Sequence, residues 1–328
     1  MYQQKINSPM TIMARAAMLA SALVLGTLTA APAMAAAPMA KFSAPGFYRL
    51  MVGDFEITAL SDGTGDMPMD KLMQQDPAKT DAALTRAFLT SPMETSVNAY
   101  LINTGGKLVL IDAGAGTLFG PTLGKLLGNL RAAGYSPEQV DEVLLTHIHP
   151  DHVGGLVKDG KAAFPNAIVR GDQRDADYWL SKTNMAQAPA AAQGFFQGAM
   201  SSLQPYVAAH TYQPFKGATE LLPGIRSVPS YGHTAGHTSY LIESKGQKLL
   251  VGGDLIHVPA VQLEHPEVTI AFDTDGKAAT QARERLFNQA AETGELVAAA
   301  HLPFPGLGHV RATGKTYQWI PVNYTQMR

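Results

Sequence analysis

The sequence predicts an α/β protein built from two related halves. Short apolar segments typical of buried strands alternate with amphipathic segments typical of helices, which is the pattern of the α/β class. A strand–turn–strand unit at residues 100–112 has a counterpart at residues 240–254, and each copy ends in an aspartate, Asp112 or Asp254. Both units are typical of a hairpin. The two copies indicate a duplicated half that contributes one sheet each, with chance similarity between hairpins as the alternative.

Residues 1–35 have the composition of a cleavable signal peptide. Lys5 and Arg15 supply the positive start, residues 16–31 are apolar, and an Ala-x-Ala cleavage site ends at Ala35. A membrane anchor is the alternative, but the apolar stretch is short for a span and no stop-transfer charge follows it. We therefore expect cleavage near Ala35, export to a bacterial periplasm, and no membrane association after cleavage.

Residues 36–328 are long enough to bury one large core, and we expect them to form a single domain. The chain has 25 Lys and Arg and 27 Asp and Glu, and loss of Lys5 and Arg15 leaves 23 cations and a net charge of −4. This mild acidity without a basic cluster argues against a nucleic-acid partner, because phosphates require clustered Lys and Arg. The chain has no cysteine. It therefore folds without disulfides, and any metal site uses nitrogen and oxygen ligands.

The first predicted strand covers residues 54–60, which alternate between apolar and polar side chains up to a Ser-Asp-Gly turn at residues 61–63. Pro68, Pro77 and Pro92 mark residues 67–91 and the position that follows them, around a helical segment predicted at residues 81–88. Residues 67–91 form either a loop over the functional site or a surface connection.

The later elements follow the same α/β alternation. Strands are predicted at residues 143–145 and 167–170, and helices at residues 118–133, 173–182 and 277–292. Residues 188–209 are apolar and rich in alanine, but Gly194, Gly198 and Pro205 interrupt them. We expect broken helical pieces there, forming an insertion near the site.

A histidine-rich segment follows the strand at residues 143–145. It reads His147-Ile148-His149-Pro150-Asp151-His152 and is followed by Gly154-Gly155. Residues two apart in an extended chain point the same way, so the first two histidines face one point. Proline ends the strand because it lacks an amide hydrogen, and the turn brings Asp151 and His152 to that point from another side. Imidazole and carboxylate groups at this spacing are ligands for a divalent ion such as zinc, whereas a polar loop rich in histidine by chance is the alternative.

This segment resembles the signature motif of the metallo-β-lactamase superfamily of binuclear metallohydrolases. Residues 232–237, Gly-His-Thr-Ala-Gly-His, are similar to a second motif of that family, with Ala235 where proline is usual. Asp254, after two glycines, matches the aspartate that bridges both metals, and His301 matches the last ligand. The resemblance implies an αββα sandwich with the metals at one rim between the two sheets.

The resemblance also implies the ligands of two Zn²⁺ ions, or of other divalent ions such as Mn²⁺ or Co²⁺. The first ion takes His147, His149 and His233. The second takes Asp151, His152 and His301, while Asp254 and a hydroxide bridge the two. His237 matches a position that is usually structural. Asp112 matches an acid that orients a ligand histidine, although a helix-capping role is the alternative. Three further histidines match no ligand position: His210, His265 and His309.

Two divalent ions about 3.5–4 Å apart can share one hydroxide and hold both ends of a substrate under attack. Zinc lowers the pKa of its water from about 15.7 to about 7, so the nucleophile forms at neutral pH without a separate base. The implied reaction is hydrolysis of a carbonyl or phosphoryl compound by the metal-bridging hydroxide. Asp151 and Asp254 are catalytic in this scheme, and no serine or cysteine nucleophile is required.

Over nearly its whole length after the signal segment, the chain resembles a narrower branch, the methyl parathion hydrolases and their lactonase relatives. The segments that carry this resemblance are residues 44–49, 53–63, 118–124 and 321–324. Matching positions put Phe119, Trp179 and Phe196 around the leaving group. They form an aromatic box suited to an aryl ring, with plain core packing as the alternative for each.

Three further pocket positions, Leu72, His257 and Phe272, depart from the organophosphate-adapted pattern, which has arginine, leucine and leucine. The chain is also one residue shorter before Phe195. His257 follows Asp254 by three residues, where acyl-homoserine lactone hydrolases carry a tyrosine near the substrate carbonyl. It can act as a catalytic residue that polarises a carbonyl or assists a departing phenolate, or it is an ordinary strand-edge histidine.

These departures predict a di-zinc hydrolase of aryl lactones and esters, such as dihydrocoumarin, with phosphotriester cleavage as a weaker side activity. A methyl parathion hydrolase proper is the alternative enzyme, and a non-catalytic zinc-binding protein is the alternative of another class. A thioesterase of the glyoxalase II kind is disfavoured by the export signal and by the lack of a C-terminal basic site. The expected partners are small molecules, and the branch resemblance implies a homodimer.

Overall fold

Two mixed β-sheets carry the fold. The computed structural model describes Ala37, residues 39–41 and residues 43–327. The predicted signal peptide, residues 1–35, lies outside the described residues. Contacts group the chain from Ala44 to Arg328 into one unit. The first sheet has six strands and the second has seven.

The first sheet and a small separate ribbon come from the first half of the unit. Their strands are β1 Phe47–Val52, β2 Phe55–Met67, β3 Met93–Asn103, β4 Leu108–Ile111, β5 Glu142–Leu144, β6 Val157–Lys158, β7 Lys161–Ala162 and β8 Ile168–Arg170. The second sheet comes from the second half. Its strands are β9 Glu220–Leu222, β10 Ile225–Pro229, β11 Thr238–Ser244, β12 Gln247–Val251, β13 Leu296–Ala298, β14 Leu307–Thr313 and β15 Thr316–Pro321. The spatial order is β1-β2-β3-β4-β5-β8 in the first sheet and β15-β14-β13-β12-β11-β10-β9 in the second.

Helices cover the outer faces of the sheets or connect the strands. They are α1 Met69–Leu72, α2 Pro77–Arg86, α3 Leu126–Ala132, α4 Pro150–Val153, α5 Gln173–Trp179, α6 Lys182–Gln187, α7 Ala190–Ala208, α8 Pro259–Gln262 and α9 Gly276–Thr293. Short 3₁₀ turns lie at Pro137–Gln139 and Gly154–Leu156. None of the helices in the described part of the chain is long and apolar enough to cross a membrane.

Strand periodicity decides which side chains meet between the sheets. In β3, Tyr100 and Ile102 belong to the core between the sheets, while Ala99 and Leu101 belong to a second core on the other face, which also contains residues of α3 and α7. In β11, Tyr240 and Ile242 enter the same central core from the other sheet. Successive side chains of a strand face opposite sides, so each sheet buries both faces, one on the partner sheet and one on helices. This is the αββα sandwich that the sequence predicts, and the α/β class is confirmed.

The two hairpins have matching registers. Tyr100 pairs with Ile111 in the first sheet, and Tyr240 pairs with Val251 in the second. In each sheet the second hairpin strand then pairs in parallel with the next strand, β4 with β5 and β12 with β13. The parallel pairs bring the carboxyl ends of four strands to one rim, where Asp112 and Asp254 follow β4 and β12.

Three predicted elements differ from the structure. The first strand does not stop at residues 61–63 but runs on to Met67, because a β-bulge at Asp62 absorbs the turn signal. The predicted helix at residues 118–133 is reduced to α3, and residues 113–125 form a loop. Residues 188–209 do not break into pieces, since α7 is continuous from Ala190 to Ala208.

Candidate metal centre

Seven predicted ligands come from four loops that leave the same rim of the sandwich. His147 and His149 follow β5, and Asp151 and His152 lie in the first turn of α4. His233 lies between β10 and β11. Asp254 follows β12 and His301 follows β13. Although 154 positions separate the first of these residues from the last in sequence, the rim brings all seven together.

The side chains form two groups with one shared member. His147, His149 and His233 make the first group, with His233 Nε2 3.2 Å from His149 Nδ1. Asp151, His152 and His301 make the second, with Asp151 Oδ2 3.4 Å from His152 Nε2 and 3.5 Å from His301 Nε2.

Asp254 lies between the two groups. Its Oδ2 is 3.2 Å from His233 Nε2 in the first group and 3.1 Å from His301 Nε2 in the second. Its Oδ1 is 3.2 Å from His152 Nε2. One carboxylate therefore reaches both groups, as a bridging ligand must.

Buried atoms without hydrogen bonds test whether this donor set fits metal ions. His147 Nε2, His152 Nε2 and Asp254 Oδ1 are buried and have no hydrogen-bond partner among the described residues. An unpaired buried polar atom is costly, and bound cations would satisfy all three at once. Five imidazoles and two carboxylates are a donor set that zinc accepts. The residues present therefore fit a binuclear metal site.

The ligand histidines are oriented through their second nitrogens. His152 Nδ1 is 2.9 Å from Asp112 Oδ2, and His233 Nδ1 is 2.8 Å from Asp273 Oδ1. His301 Nδ1 is 2.9 Å from the carbonyl oxygen of Ser96. Such partners hold a ring in one tautomer and raise its basicity as a ligand. Of the two roles open for Asp112 on sequence, the structure favours orientation of a histidine.

Burial and neighbouring charges lower the pKa of some ligand histidines and raise the pKa of others. Burial, followed by repulsion from neighbouring imidazoles, holds the pKa of His147 and of His149 well below the usual value, so both offer free lone pairs. Burial also lowers the pKa of His233, but hydrogen bonds to Asp254 and Asp273 outweigh it and raise the pKa to about 9. The surrounding imidazoles outweigh burial at Asp254 and hold its pKa well below 3.8, which keeps the carboxylate ionised.

His237 lies beside the centre but joins neither group of ligands. Its Nε2 accepts a hydrogen bond of 3.0 Å from the backbone N–H of Asp254, and its Nδ1–H donates to the Ser230 carbonyl at 3.0 Å. Burial lowers its pKa to about 3, so the ring stays neutral. The side chain therefore positions Asp254. His210 and His265 are exposed and His309 is half-buried, and none of these three belongs to a metal-ligating group.

Asp175 connects the ligand loops of the two halves. Its buried carboxylate accepts hydrogen bonds from Ile148 N–H at 3.0 Å, Thr234 O–H at 2.8 Å and Gly236 N–H at 2.6 Å. Ile148 lies between two ligands of the first half, and Thr234 follows His233 of the second. These three hydrogen bonds, the Asp175 clamp, set the distance between the two loops, and no motif in the sequence points to Asp175.

The family follows from these observations together with a match along the chain. Residues 93–301 match the model of the metallo-beta-lactamase superfamily. The chain belongs to this superfamily. Its two groups of ligands lie at the rim between the sheets.

Several solved structures and curated proteins similar to this chain are described as hydrolases, lactonases or thioesterases. A crystal structure described as the hydrolase AbOPH of the beta-lactamase superfamily is 38% identical, with a TM-score of 0.82, over 87% of this chain and 100% of that one. AidC, described as a dizinc quorum-quenching lactonase, is 27% identical, with a TM-score of 0.78, over 86% and 99%. The acyl-coenzyme A thioesterase MBLAC2 of Bos taurus is 27% identical over 167 residues, 49% of this chain and 58% of that protein. The first curated relatives are thus matched over less than two thirds of their own length.

A cavity of about 250 Å³ opens beside the metal centre of this superfamily member. Its floor includes His149, Asp151, Asp254 and His301. Its walls are mostly apolar, and no Lys or Arg lines it within the described chain. The wall residues are Gly65, Asp66, Met67, Met69, Thr95, Val97, Phe119, Thr122, Leu123, Phe195, His257, Ile270 and Phe272.

Of the six predicted pocket residues, Phe119, His257 and Phe272 line the cavity, and three do not. Trp179 lies behind His149, with 4.9 Å between the ring centroids, and Phe196 is fully buried against Trp179. Leu72 does not line the cavity, but its carbonyl accepts a hydrogen bond of 2.8 Å from the N–H of Ala271, and its side chain packs against the cluster that contains the wall residues Met69 and Ile270.

Phe195 reaches the cavity in place of Phe196. Adjacent residues of a helix point about 100° apart, so two consecutive phenylalanines cannot both face the site. Sequence alone contains no signal that selects between them. Asp273 was also missed, because it lies in a loop 40 positions after its partner His233.

Proposed function

We propose that this protein is a binuclear metal-dependent hydrolase of uncharged aryl lactones and esters, such as dihydrocoumarin, with weaker cleavage of phosphotriesters. The observation that carries this proposal is the position of Asp254 within 3.2 Å of ligand nitrogens from both groups. A carboxylate so placed would hold two cations side by side, which is the requirement for binuclear hydrolysis.

The chain's own residues would divide the work. His147, His149 and His233 would hold one ion, and Asp151, His152 and His301 the other, with Asp254 on both. The ions would supply Lewis acidity towards the substrate oxygen and an activated water at neutral pH. Asp112, Asp273 and the Ser96 carbonyl would keep the histidine rings aimed at the ions throughout the reaction.

The cavity supports an uncharged aromatic substrate. Phe119, Phe195 and Phe272 supply aromatic surface beside the ligand side chains, and Met67 and Met69 add flexible apolar contacts. No Lys or Arg lines the wall within the described chain, so away from the metal ions no cationic side chain compensates the carboxylate of a β-lactam or the phosphates of a coenzyme A thioester. The exposed carboxylate of Asp66 at the wall would further repel anions and favour release of the carboxylate product.

The names of similar proteins agree with this chemistry. AidC is described in complex with a homoserine product of lactone opening, and AbOPH is described as a hydrolase. The narrower assignment to the branch of methyl parathion hydrolases and lactonases is part of the proposal and is supported by the motifs quoted above. Export to the periplasm and a single mature domain at residues 36–328 are proposed on the sequence pattern of residues 1–35.

A substrate panel on one metal-loaded preparation tests the proposal. The measured quantity is kcat/KM for dihydrocoumarin, an acyl-homoserine lactone, methyl paraoxon, a β-lactam and an acyl-coenzyme A. We expect dihydrocoumarin to give the highest value and the two anionic substrates to give the lowest. A β-lactam or acyl-coenzyme A as the best substrate would refute the proposal, and methyl paraoxon as the best would favour an organophosphate hydrolase.

A further inference from the structure

His257 lies at the metal centre although it occupies none of the seven ligand positions. Its side chain is buried, and its Nε2 is 3.1 Å from Asp254 Oδ2. Two proposed ligands approach the same oxygen at the same range, since His301 Nε2 is 3.1 Å away and His233 Nε2 is 3.2 Å away. By distance to the shared carboxylate, His257 is therefore indistinguishable from a ligand.

His257 also completes a further group of donor atoms. The ligand atoms of His233, Asp254 and His257 all lie within 4.8 Å of one another, a spacing at which one cation can contact all three. All three side chains are buried. The group shares two members with the groups already described and adds only one imidazole to them.

The surrounding structure holds this ring in place. The backbone N–H of His257 donates to Gln262 Oε1 at 2.8 Å, and the fully buried Gln262 also donates to the Val268 carbonyl at 3.0 Å. The imidazole stacks on His301 with an interplanar angle of 19° and 5.1 Å between centroids. Its other nitrogen, Nδ1, has no hydrogen-bond partner among the described residues. Nothing in the described chain therefore draws the ring away from Asp254.

We propose that His257 is an eighth metal ligand, whose Nε2 binds the ion held by His233 and Asp254. This inference rests on the proposed binuclear centre and changes the role expected from the sequence. A nitrogen that donates its lone pair to a cation cannot polarise a substrate carbonyl. The added imidazole makes the centre richer in nitrogen, which favours zinc over manganese, because manganese prefers oxygen ligands.

A crystal structure of the wild-type protein loaded with zinc gives the direct test. Anomalous scattering at the zinc edge locates the ions, and we expect His257 Nε2 at about 2.0–2.1 Å from one of them. A separation above about 3 Å, with Nε2–H donating to Asp254 instead, would overturn the inference. This test needs no variant and no substrate, so it is independent of the folding of a mutant and of the proposed activity.

Metal selectivity gives a second test in solution. Dissociation constants for Zn²⁺ and Mn²⁺ are measured by chelator competition for wild type, His257→Leu and the control His265→Leu, which changes an exposed histidine paired only with Glu267. We expect His257→Leu to weaken zinc binding about tenfold or more and manganese binding less. An equal loss for both metals would indicate a hydrogen-bond donor, and no loss would indicate a bystander. Either result contradicts ligation, whereas a failure of the proposed function would appear as absent turnover in fully loaded wild type.

Discussion

Single carboxylates fix the tautomers of individual ligand histidines through hydrogen bonds. Asp273 fixes one tautomer of His233 and also accepts a hydrogen bond of 3.1 Å from Ile270 N–H. Because Ile270 and Phe272 line the cavity, this one side chain links the substrate wall to a metal ligand. The charge of Asp273 should therefore affect the affinity of the first group for its ion.

Asp273→Asn keeps the shape of the side chain but removes its charge. We expect the affinity of the His147–His149–His233 group for zinc to fall about 10–100-fold, because outer partners of ligand histidines contribute on that scale. Chelator competition measures the two dissociation constants. Asp159→Asn, a change in an exposed loop, is the control. Unchanged zinc binding by Asp273→Asn would remove Asp273 from the account.

The raised pKa of His233 predicts a dependence of metal uptake on pH. Without a bound ion, His233 carries a proton below about pH 9, and a metal ion must displace that proton to reach Nε2. Metal binding at pH 7 should therefore release protons, and affinity should weaken as the pH falls. Calorimetry in buffers of different ionisation enthalpy measures the number released. No proton release at pH 7 would contradict the charge assigned to His233.

Adjacent phenylalanines should respond differently to truncation. Phe195→Ala removes cavity wall and should raise KM for an aryl lactone several-fold with little loss of stability. Phe196→Ala removes a fully buried ring and should lower the free energy of unfolding by about 3–5 kcal/mol. Kinetics and urea unfolding on both variants separate the effects. If Phe196→Ala raised KM more than Phe195→Ala did, the cavity lining would be wrong.

Much of the metal centre can be predicted because its ligands lie in short motifs at strand ends. The motif at His147–His152 and the loop at residues 232–237 are local patterns. Asp273, Asp175 and Phe195 carry no such pattern, because their roles depend on which loops meet across the rim. Contacts of that kind form only in the folded chain.

Among the elements of the fold, loops rather than helices determine the positions of the metal ligands. The Asp175 clamp joins a loop of each half, and it requires a glycine at position 236, since a Cβ there would lie 2.7 Å from Asp175 N and 2.9 Å from its Oδ1. The clamp explains how ligands from two separate sheets keep one spacing.

Gly236→Ala should destabilise the protein by about 1–3 kcal/mol, because a methyl group has to be forced into a filled contact. The matched control is Gly194→Ala in α7, where a Cβ meets nothing within 4 Å. That change should be neutral or stabilise by about 0.5–1 kcal/mol, since alanine is the better helix former. Urea unfolding measures both. Equal effects of the two changes would show that the clamp is not tight.

Two elements differ from their sequence prediction for a tertiary reason. Residues 113–125 lack a helix because the buried carboxylate of Asp62 accepts hydrogen bonds from the N–H groups of Ala115, Gly124 and Leu126, which holds a loop. Gly198 lies inside the continuous helix α7, where it allows close packing against α4. A Cβ at this position would lie 2.9 Å from Pro150 Cγ. Gly198 is thus a packing position inside the helix and not a helix end.

At the scale of the whole molecule, the duplicated hairpins explain why the site lies where it does. Each half ends a parallel strand pair at the same rim, and each contributes an aspartate there, Asp112 behind a histidine and Asp254 between the groups. Neither half holds a complete group of ligands, because His233 of the second half joins His147 and His149, and His301 joins Asp151 and His152. The centre therefore forms only when the two sheets pack on each other.

Metal titration of turnover shows directly whether hydrolysis requires two ions that share Asp254. Zinc is removed with a chelator and added back in known equivalents while dihydrocoumarin hydrolysis is followed. We expect no turnover without metal and a rise to a plateau at two equivalents per chain, because the two groups share Asp254. Full turnover in the stripped protein, or a plateau reached at one equivalent, would contradict a binuclear hydrolase.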